Sequence, residues 1–554
     1  MNKRILKLAV PNILSNLTVP LLGMVDLALS GHLENAYAIG AIAVATTTFS
    51  LIYWSFSFLR MGTTGLTAQS NGKGDKEGMG RNLAQSAFIG LVASIIILFL
   101  QQPLLRLALM VLVPDASLTG YVATYFNIVV WGAPAILLTY ALNGWLIGMQ
   151  NTWVPMLVSI ITNITNVAIS SWLVLVEGMG VSGIAIGTLV AQWLGVLLLS
   201  LGAYLLFIGK GKVVLPRHIK DLKVELGRYF STNIHIFLRT MLLGMVSFFF
   251  TYSGSHQGSL TLSTNALLYQ FFTFFNYFAD GFAFAGEALV GHFFGKKERA
   301  LLQKTIRLLY VWGISLALLT SVLYMIGANA FLELLTDKAE VIDYAQIYLP
   351  WVYLLPLTGI IAILYDGIFV GVTATREMFL SMLVAVVVFF ILYFIAPFED
   401  ENHNLWFAFD IYLLIRGVMQ VAIAKRLRGL GRPFLYTYFL SIGSTILEKK
   451  EMIIDALDAA FPQGLMSQFS TSHDATGKTD KVYINSVMQV TSEWTLEEMK
   501  ERVSKIETQC GRDRESNEVA LDIDIVVQDD EVLRHKDFAR DYFQEGYREL
   551  CHLA

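Results

Sequence analysis

Asp26 stands in an otherwise apolar run, among Leu22, Val25, Leu27 and Leu29. An ionisable group placed in a bilayer costs ~2.5–3.5 kcal/mol on insertion scales, so each one needs a reason. A carboxyl held in hydrocarbon without a fixed cation takes up a proton, whereas a bound Na⁺ keeps it ionised. A hydrogen bond to a neighbouring helix is the plainer alternative. Asp280 and Glu287 are seven residues apart, hence on one helical face, and Asp366 is a third acid in an apolar stretch. Arg60 precedes Met61-Gly62-Thr63-Thr64-Gly65, where it can snorkel to an interface or hold a gate. A different acid pair occurs far downstream, in Leu521-Asp522-Ile523-Asp524-Ile525. On a strand both carboxylates project from one face about 7 Å apart, a donor pair that suits Mg²⁺ and nucleotide phosphates. The same alternation also marks an ordinary wet strand face.

Composition dictates what must position these groups. Of 554 residues, 55% are hydrophobic and 15% charged, a balance suited to solvation by lipid. The average hides a seam at Pro433, beyond which charge density rises roughly threefold. The front part nets about +6 and the tail about −10. A net-acidic tail excludes general nucleic-acid binding, which calls for clustered Lys and Arg. Cys510 and Cys551 are the only cysteines and fit neither a disulfide framework nor a zinc site.

A bilayer core of ~30 Å needs about 20 apolar residues in helical form. Twelve stretches satisfy this, at 5–31, 36–62, 82–108, 118–148, 152–176, 180–208, 227–253, 258–288, 304–334, 342–372, 375–397 and 404–425. Pro11, Pro20, Pro134 and Pro155 are expected helix breaks. Lys and Arg cluster in alternate loops, at 73–81, 210–223 and 296–304. By the positive-inside rule, both termini are cytoplasmic and the chain is a multi-pass protein of the cytoplasmic membrane.

An internal repeat divides the membrane part. Asn12 to Val25 (NILSNLTVPLLGMV) matches Asn233 to Val246 (NIHIFLRTMLLGMV) at 8 of 14 positions. Asn143-Gly144 and Gly148 match Asp366-Gly367 and Gly371, and Gln69 and Gly72 match His292 and Gly295, both at an offset of 223. The expected domains are therefore a six-helix lobe over 1–215, a second over 216–433 and a soluble domain over 434–554. Charge breaks the symmetry, for Asp26 faces Ser247 in the repeat and Asp366 faces Asn143.

These stretches carry a resemblance. PNILSNLTVPLLGMVDLALSGHL, FLRMGTTGLTAQSNG, FADGFAFAGEALVGHFFGKKE and YDGIFVGVTATREM resemble the DinF-like branch of the multidrug and toxic compound extrusion (MATE) family. The resemblance spans nearly all of residues 1–430. It implies an all-α polytopic membrane fold of twelve transmembrane helices in two homologous six-helix lobes, and export of organic compounds in exchange for H⁺ or Na⁺. It also implies a cation site at Asp26, Asn166, Ser170 and Thr188. The family usually carries an aspartate where this chain has Ser170, which leaves Asp26 as a lone carboxyl and favours H⁺ as the coupling ion. The expected partners are a small organic substrate and the lipid bilayer, with no nucleic acid, and the expected state in the membrane is a monomer.

The tail reads as a small α+β, ferredoxin-like domain. Strands are expected at 434–444, 465–472, 482–490 and 519–527, and helices at 448–461 and 495–510. LSIGST at Leu440, YIN at Tyr483, IETQCGRDR at Ile506 and ALDIDIVV at Ala520 resemble 6-hydroxymethyl-dihydropterin pyrophosphokinase. The resemblance implies Mg²⁺ at Asp522 and Asp524, ATP phosphates at Arg512 and Arg514, and a pterin at Asn485. Three departures from that family leave a weakened or merely sensory fold as the alternative: Thr445 replaces an Asn, Val519 an Arg, and the Pro-His pair after the last strand is absent. Cation-coupled export is thus the leading expectation. The alternatives are a pterin pyrophosphokinase in the tail and a lipid-precursor flippase, which would show a strongly cationic cavity where this chain offers Arg60 and Arg239.

Overall fold

A computed structural model describes the backbone of residues 1–31, 36–112, 118–446, 450–473, 482–512, 520–529 and 531–553. It describes the side chains of all these except 19–31, 36–38, 112, 219, 473, 552 and 553. The chain folds into two compact units, Met1–Leu430 and Gly431–Ala554.

Lipid offers no partner for backbone N–H and C=O groups, so the membrane unit is helical throughout. Its first half comprises α1 (Asn2–Gly31), α2 (Ala36–Trp54), α3 (Phe58–Lys73), α4 (Lys76–Phe99), α5 (Gln101–Leu112), α6 (Thr119–Val129), α7 (Ala133–Gly148), α8 (Trp153–Leu175) and α9 (Gly180–Ala203). The second comprises α10 (Ile219–Leu222), α11 (Leu226–His256), α12 (Ser259–Gly295), α13 (Arg299–Leu335), α14 (Ala339–Gln346), α15 (Leu349–Gly371), α16 (Thr375–Ile395) and α17 (Glu401–Ala424). Among the described residues, ten helical segments are long and apolar enough to cross a membrane by length and composition. α1, of 30 residues, and α12, of 37, complete twelve long segments, α12 carrying Asp280 and Glu287 within it.

Several spans are jointed. The second breaks at residues 55–57 and then runs on to Lys73. The fourth is interrupted by a 3₁₀ turn, Val130–Gly132, with Pro134 in the first turn of the helix that follows. Pro155 likewise sits in the first turn of α8, where its missing N–H costs nothing. α1 passes through Pro11 and Pro20 unbroken, contrary to the break expected there. Neighbouring helices can re-satisfy a carbonyl freed by proline in a membrane protein.

The repeat reappears as packing. A Cβ on Gly144 would lie 2.3 Å from the Arg60 carbonyl oxygen, and one on Gly367 would lie 2.1 Å from that of Ala283. These two contacts are offset by 223 on both sides, so each half docks the same helix pair through the same glycine. Where α3 crosses α12, a Cβ on Gly72 would lie 2.0 Å from the His292 carbonyl oxygen. A Cβ on Gly295 would lie 2.2 Å from that of Gln69. The two halves therefore touch through a contact that is its own repeat mate, as in an isologous dimer interface.

In the second unit, β1 (Tyr436–Ser444), α18 (Lys450–Ala460), β2 (Leu465–Met466), β3 (Ser470–His473), β4 (Val482–Ser492), α19 (Leu496–Gln509), β5 (Asp522–Gln528), β6 (Glu531–Val532), α20 (His535–Phe538) and α21 (Asp541–Leu553) form an α+β domain. The sheet is antiparallel in the order β2-β4-β1-β5-β6, with β3 also on β4. Strand alternation separates its faces. Tyr438, Leu440 and Ile442 pack with Leu457, Val503 and Ile506 of α18 and α19. Phe439, Val487 and Val526 pack with Phe543 and Leu550 of α21 on the other face. A capping box between Thr495 and Glu498 starts α19. The expected strand at 465–472 is split into β2 and β3, because Ser467 turns inward to hydrogen-bond Ser486 and the Val487 amide.

Candidate functional site

The second half of the membrane unit, with α2 and α3 of the first and the joint between them, lines a cavity of about 380 Å³. Its walls carry six ionisable side chains: Arg60 from α3, Arg239 from α11, Asp280 and Glu287 from α12, Asp366 from α15 and Arg416 from α17. Three of these acids and Arg60 are the membrane candidates read from the sequence, and they converge on one space. Arg416 was not anticipated, although a basic residue inside the last apolar span was a visible signal.

The partners are unequal. Arg239 and Arg416 both donate to Oδ2 of Asp366, and Gln420 donates to its Oδ1 at 3.0 Å. Asp366 is thus tied by three donors from two helices. Arg60 spans the halves, donating through Nη1 to Glu287 Oε2 at 3.1 Å and through Nη2 to Oε1 at 3.4 Å. Its guanidinium also lies 4.0 Å from the centre of the Phe284 ring, so its charge is held from three sides. Asp280 lines the same cavity with no hydrogen bond or ion pair among the described residues. Three guanidiniums face three carboxylates, which leaves the cavity neutral overall and not strongly cationic.

In the first half, Asn166 Nδ2 donates to Thr188 Oγ1 at 3.1 Å, and a Cβ on Gly187 would lie 2.2 Å from Ser170 Oγ. α8 and α9 thereby bring Asn166, Ser170 and Thr188 into one buried patch. Asn166 Oδ1 and Ser170 Oγ have no hydrogen-bond partner there among the described residues. α1 packs against α8, but the side chain of Asp26 lies outside the described residues. Asp410 of α17 was not singled out from the sequence; it is buried, receives the Thr358 hydroxyl at 2.9 Å on Oδ1 and leaves Oδ2 unpartnered among the described residues.

In the tail, Asn485 of β4, Gly443 of β1 and Asp522 of β5 stand in register across the sheet, and Asp524 follows opposite Ser441. Asn485 Nδ2 donates to Ser472 Oγ at 2.8 Å. Arg512 bridges Glu507 and Asp522, reaching Asp522 at 2.7 Å, and Arg534 pairs with Asp524. Arg514 lies outside the described residues. Burial, and then the Asp522 carboxylate beside it, push the Asp524 carboxyl up to about 6 despite Arg534. Two adjacent carboxylates that repel each other suit a divalent cation, which Mg²⁺ sites commonly bind through one or two carboxylates plus phosphate oxygens. Asp522 and Asp524 would hold it, and a bound Mg²⁺ would neutralise phosphate charge there.

Comparisons agree with this division. Residues 11–172 and 236–395 match the MatE family, and residues 439–551 match 7,8-dihydro-6-hydroxymethylpterin-pyrophosphokinase (HPPK). DNA damage-inducible protein F of Escherichia coli (strain K12) is 34% identical over 433 residues, covering 77% of this chain and 92% of that protein. Multidrug resistance protein NorM of Aliivibrio fischeri is 23% identical over 352 residues, covering 62% and 75%. Among solved structures, the eukaryotic MATE transporter AtDTX14 aligns with a TM-score of 0.68 at 17% identity, covering 77% of this chain and 96% of that one. Vibrio cholerae VcmN in the bent form aligns at 0.67 and 16% identity, covering 76% and 95%. The chain is a multi-pass membrane protein of the MATE transporter family, twelve helices in two homologous lobes, followed by an α+β domain that resembles HPPK.

Proposed function

We propose that the membrane unit is a cation-coupled antiporter that exports organic compounds across the cytoplasmic membrane, with both termini in the cytoplasm. The observation that carries this reading is the ring of six ionisable side chains around one cavity, in which Asp366 and Glu287 are fully paired and Asp280 is free to exchange partners. A carboxylate without a fixed partner can hold a proton, a metal cation or a substrate group in turn, which is the requirement of exchange. The names of its relatives, NorM among them, support export of drug-like compounds. The absence of a cationic excess removes the support for a lipid-precursor flippase.

H⁺ is the coupling ion this chain favours, because Ser170 supplies no second carboxylate near Asp26. Ethidium movement in proteoliposomes driven separately by a pH gradient and by a Na⁺ gradient tests this. Transport is expected with the pH gradient at zero Na⁺; transport with Na⁺ alone would reverse the assignment of the ion.

A second reading concerns the tail, as an ATP-dependent pterin pyrophosphokinase with Mg²⁺ at Asp522 and Asp524. It is favoured by the row Asn485, Gly443 and Asp522 across the sheet, a pterin-side amide and a metal-side acid on one face. Release of AMP by the full-length chain given ATP, Mg²⁺ and the pterin alcohol is the expected result. No AMP above that of the Asp522→Asn, Asp524→Asn double variant would exclude it.

A further inference from the structure

The unsatisfied group in the membrane cavity is specific in its chemistry. Glu287 and Asp366 already have their cations, while Asp280 turns a bare carboxylate into the space and Asn276, one turn earlier on α12, adds an amide to the same lining. Asp280 is only partly buried, and a carboxylate without donors offers both oxygens to a ligand that brings two parallel N–H groups as a bidentate pair. Flat aromatic surface lines the same cavity two to three turns earlier along α12. Tyr269, Phe272 and Phe409 line the cavity and pack edge-on or tilted against one another, with ring centres 5.2 to 6.1 Å apart. Such a rigid wall favours a planar ring over a flexible chain. At about 380 Å³ the cavity lies at the small end of drug-sized sites.

Charge narrows the class. The three guanidiniums already balance the three carboxylates, so an uncharged, donor-rich heterocycle enters without adding a net charge. The same chain carries a domain matching an enzyme of 7,8-dihydro-6-hydroxymethylpterin. Covalent linkage keeps the two units at equal numbers.

We propose that the transported compound is a pterin-type heterocycle, held by Asp280 through the paired N–H donors of its 2-amino-4-oxo edge and stacked in the aromatic wall. This rests on the reading of the membrane unit as an antiporter. The inference concerns the membrane cavity alone and does not require the tail to be catalytic.

The test is counterflow with the full-length chain in liposomes, without ATP. Vesicles are preloaded with unlabelled 6-hydroxymethylpterin, and uptake of the tritiated compound is followed beside ethidium counterflow. Labelled pterin should accumulate well above protein-free vesicles. The 2-oxo analogue 6-hydroxymethyllumazine, which lacks the amino donor, should compete at least about tenfold more weakly with the unaltered protein. Asp280→Asn should lower pterin exchange by a similar factor. Ethidium exchange without pterin exchange overturns this inference and leaves the antiporter reading standing; exchange of neither overturns both. Equal competition by the lumazine, or undiminished pterin exchange in the variant, removes Asp280 as the recognising group.

Discussion

The two halves of the membrane unit can be compared position by position, because the offset of 223 holds in three dimensions. Gly144 and Gly367 press on the carbonyls of Arg60 and Ala283 in the same way. The side chains at those four positions and their neighbours diverge. Asn143 leaves its Oδ1 unpartnered among the described residues, whereas its mate Asp366 gathers two arginines and a glutamine. Thr64 corresponds to Glu287, and Ala283 to Arg60, so this buried ion pair between the halves joins positions whose mates are uncharged. Backbone contact is duplicated, while charge is placed once. Symmetry serves the packing, and its violation creates the site.

The comparison breaks most visibly at Asp366. Asp366→Ala strands two buried guanidiniums and should cost about 3–5 kcal/mol, read as a fall in melting temperature in detergent. Asn143→Ala should cost under about 1 kcal/mol by the same measurement. Comparable losses would mean that the acid is not a structural keystone. The glycines should instead behave alike: Gly144→Ala and Gly367→Ala each drive a Cβ into a backbone carbonyl and should each destabilise by about 1–3 kcal/mol or more. A large difference between them would show that the halves do not share their packing.

A smaller effect sharpens the link between halves. A double-mutant cycle over Arg60→Ala and Glu287→Gln should give a coupling of about 1–2 kcal/mol, and additive losses would separate the two residues. The smallest effect lies in the tail, where an acid pair meets water instead of lipid. The Asp524 carboxyl is raised to about 6 in the folded domain, so the folded state binds the proton more tightly than the unfolded one. Its stabilising contribution is complete below the unfolded value and is lost as pH rises through about 6. The stability of the tail in the full-length chain should fall by roughly 1 kcal/mol between acidic and neutral pH, and Asp524→Asn should flatten that slope.

Much of this architecture was legible because hydrocarbon imposes a length and a composition on each span. The joints were not: residues 55–57 (Ser55-Phe56-Ser57) contain neither glycine nor proline, yet the chain tightens there into i→i+3 turns, with the Ser55 hydroxyl bonded back to the Leu51 carbonyl. Asp280, Glu287 and Asp366 stood out as acids in apolar runs. Arg416 and Asp410 belonged to the same category, yet which helix meets which cannot be read from one span at a time. The tail strands followed from alternation, while β6, α20 and α21 did not, since a two-residue strand carries no period and the helix at 541–553 shows its apolar face only against Phe439 and Val487.

The crossing of α3 and α12 has a mechanical corollary. Gly72 on the His292 carbonyl and Gly295 on the Gln69 carbonyl are one latch struck twice from the same die. A tilt that lifts one half off the other must release both teeth in a single stroke, so neither can yield while the other holds.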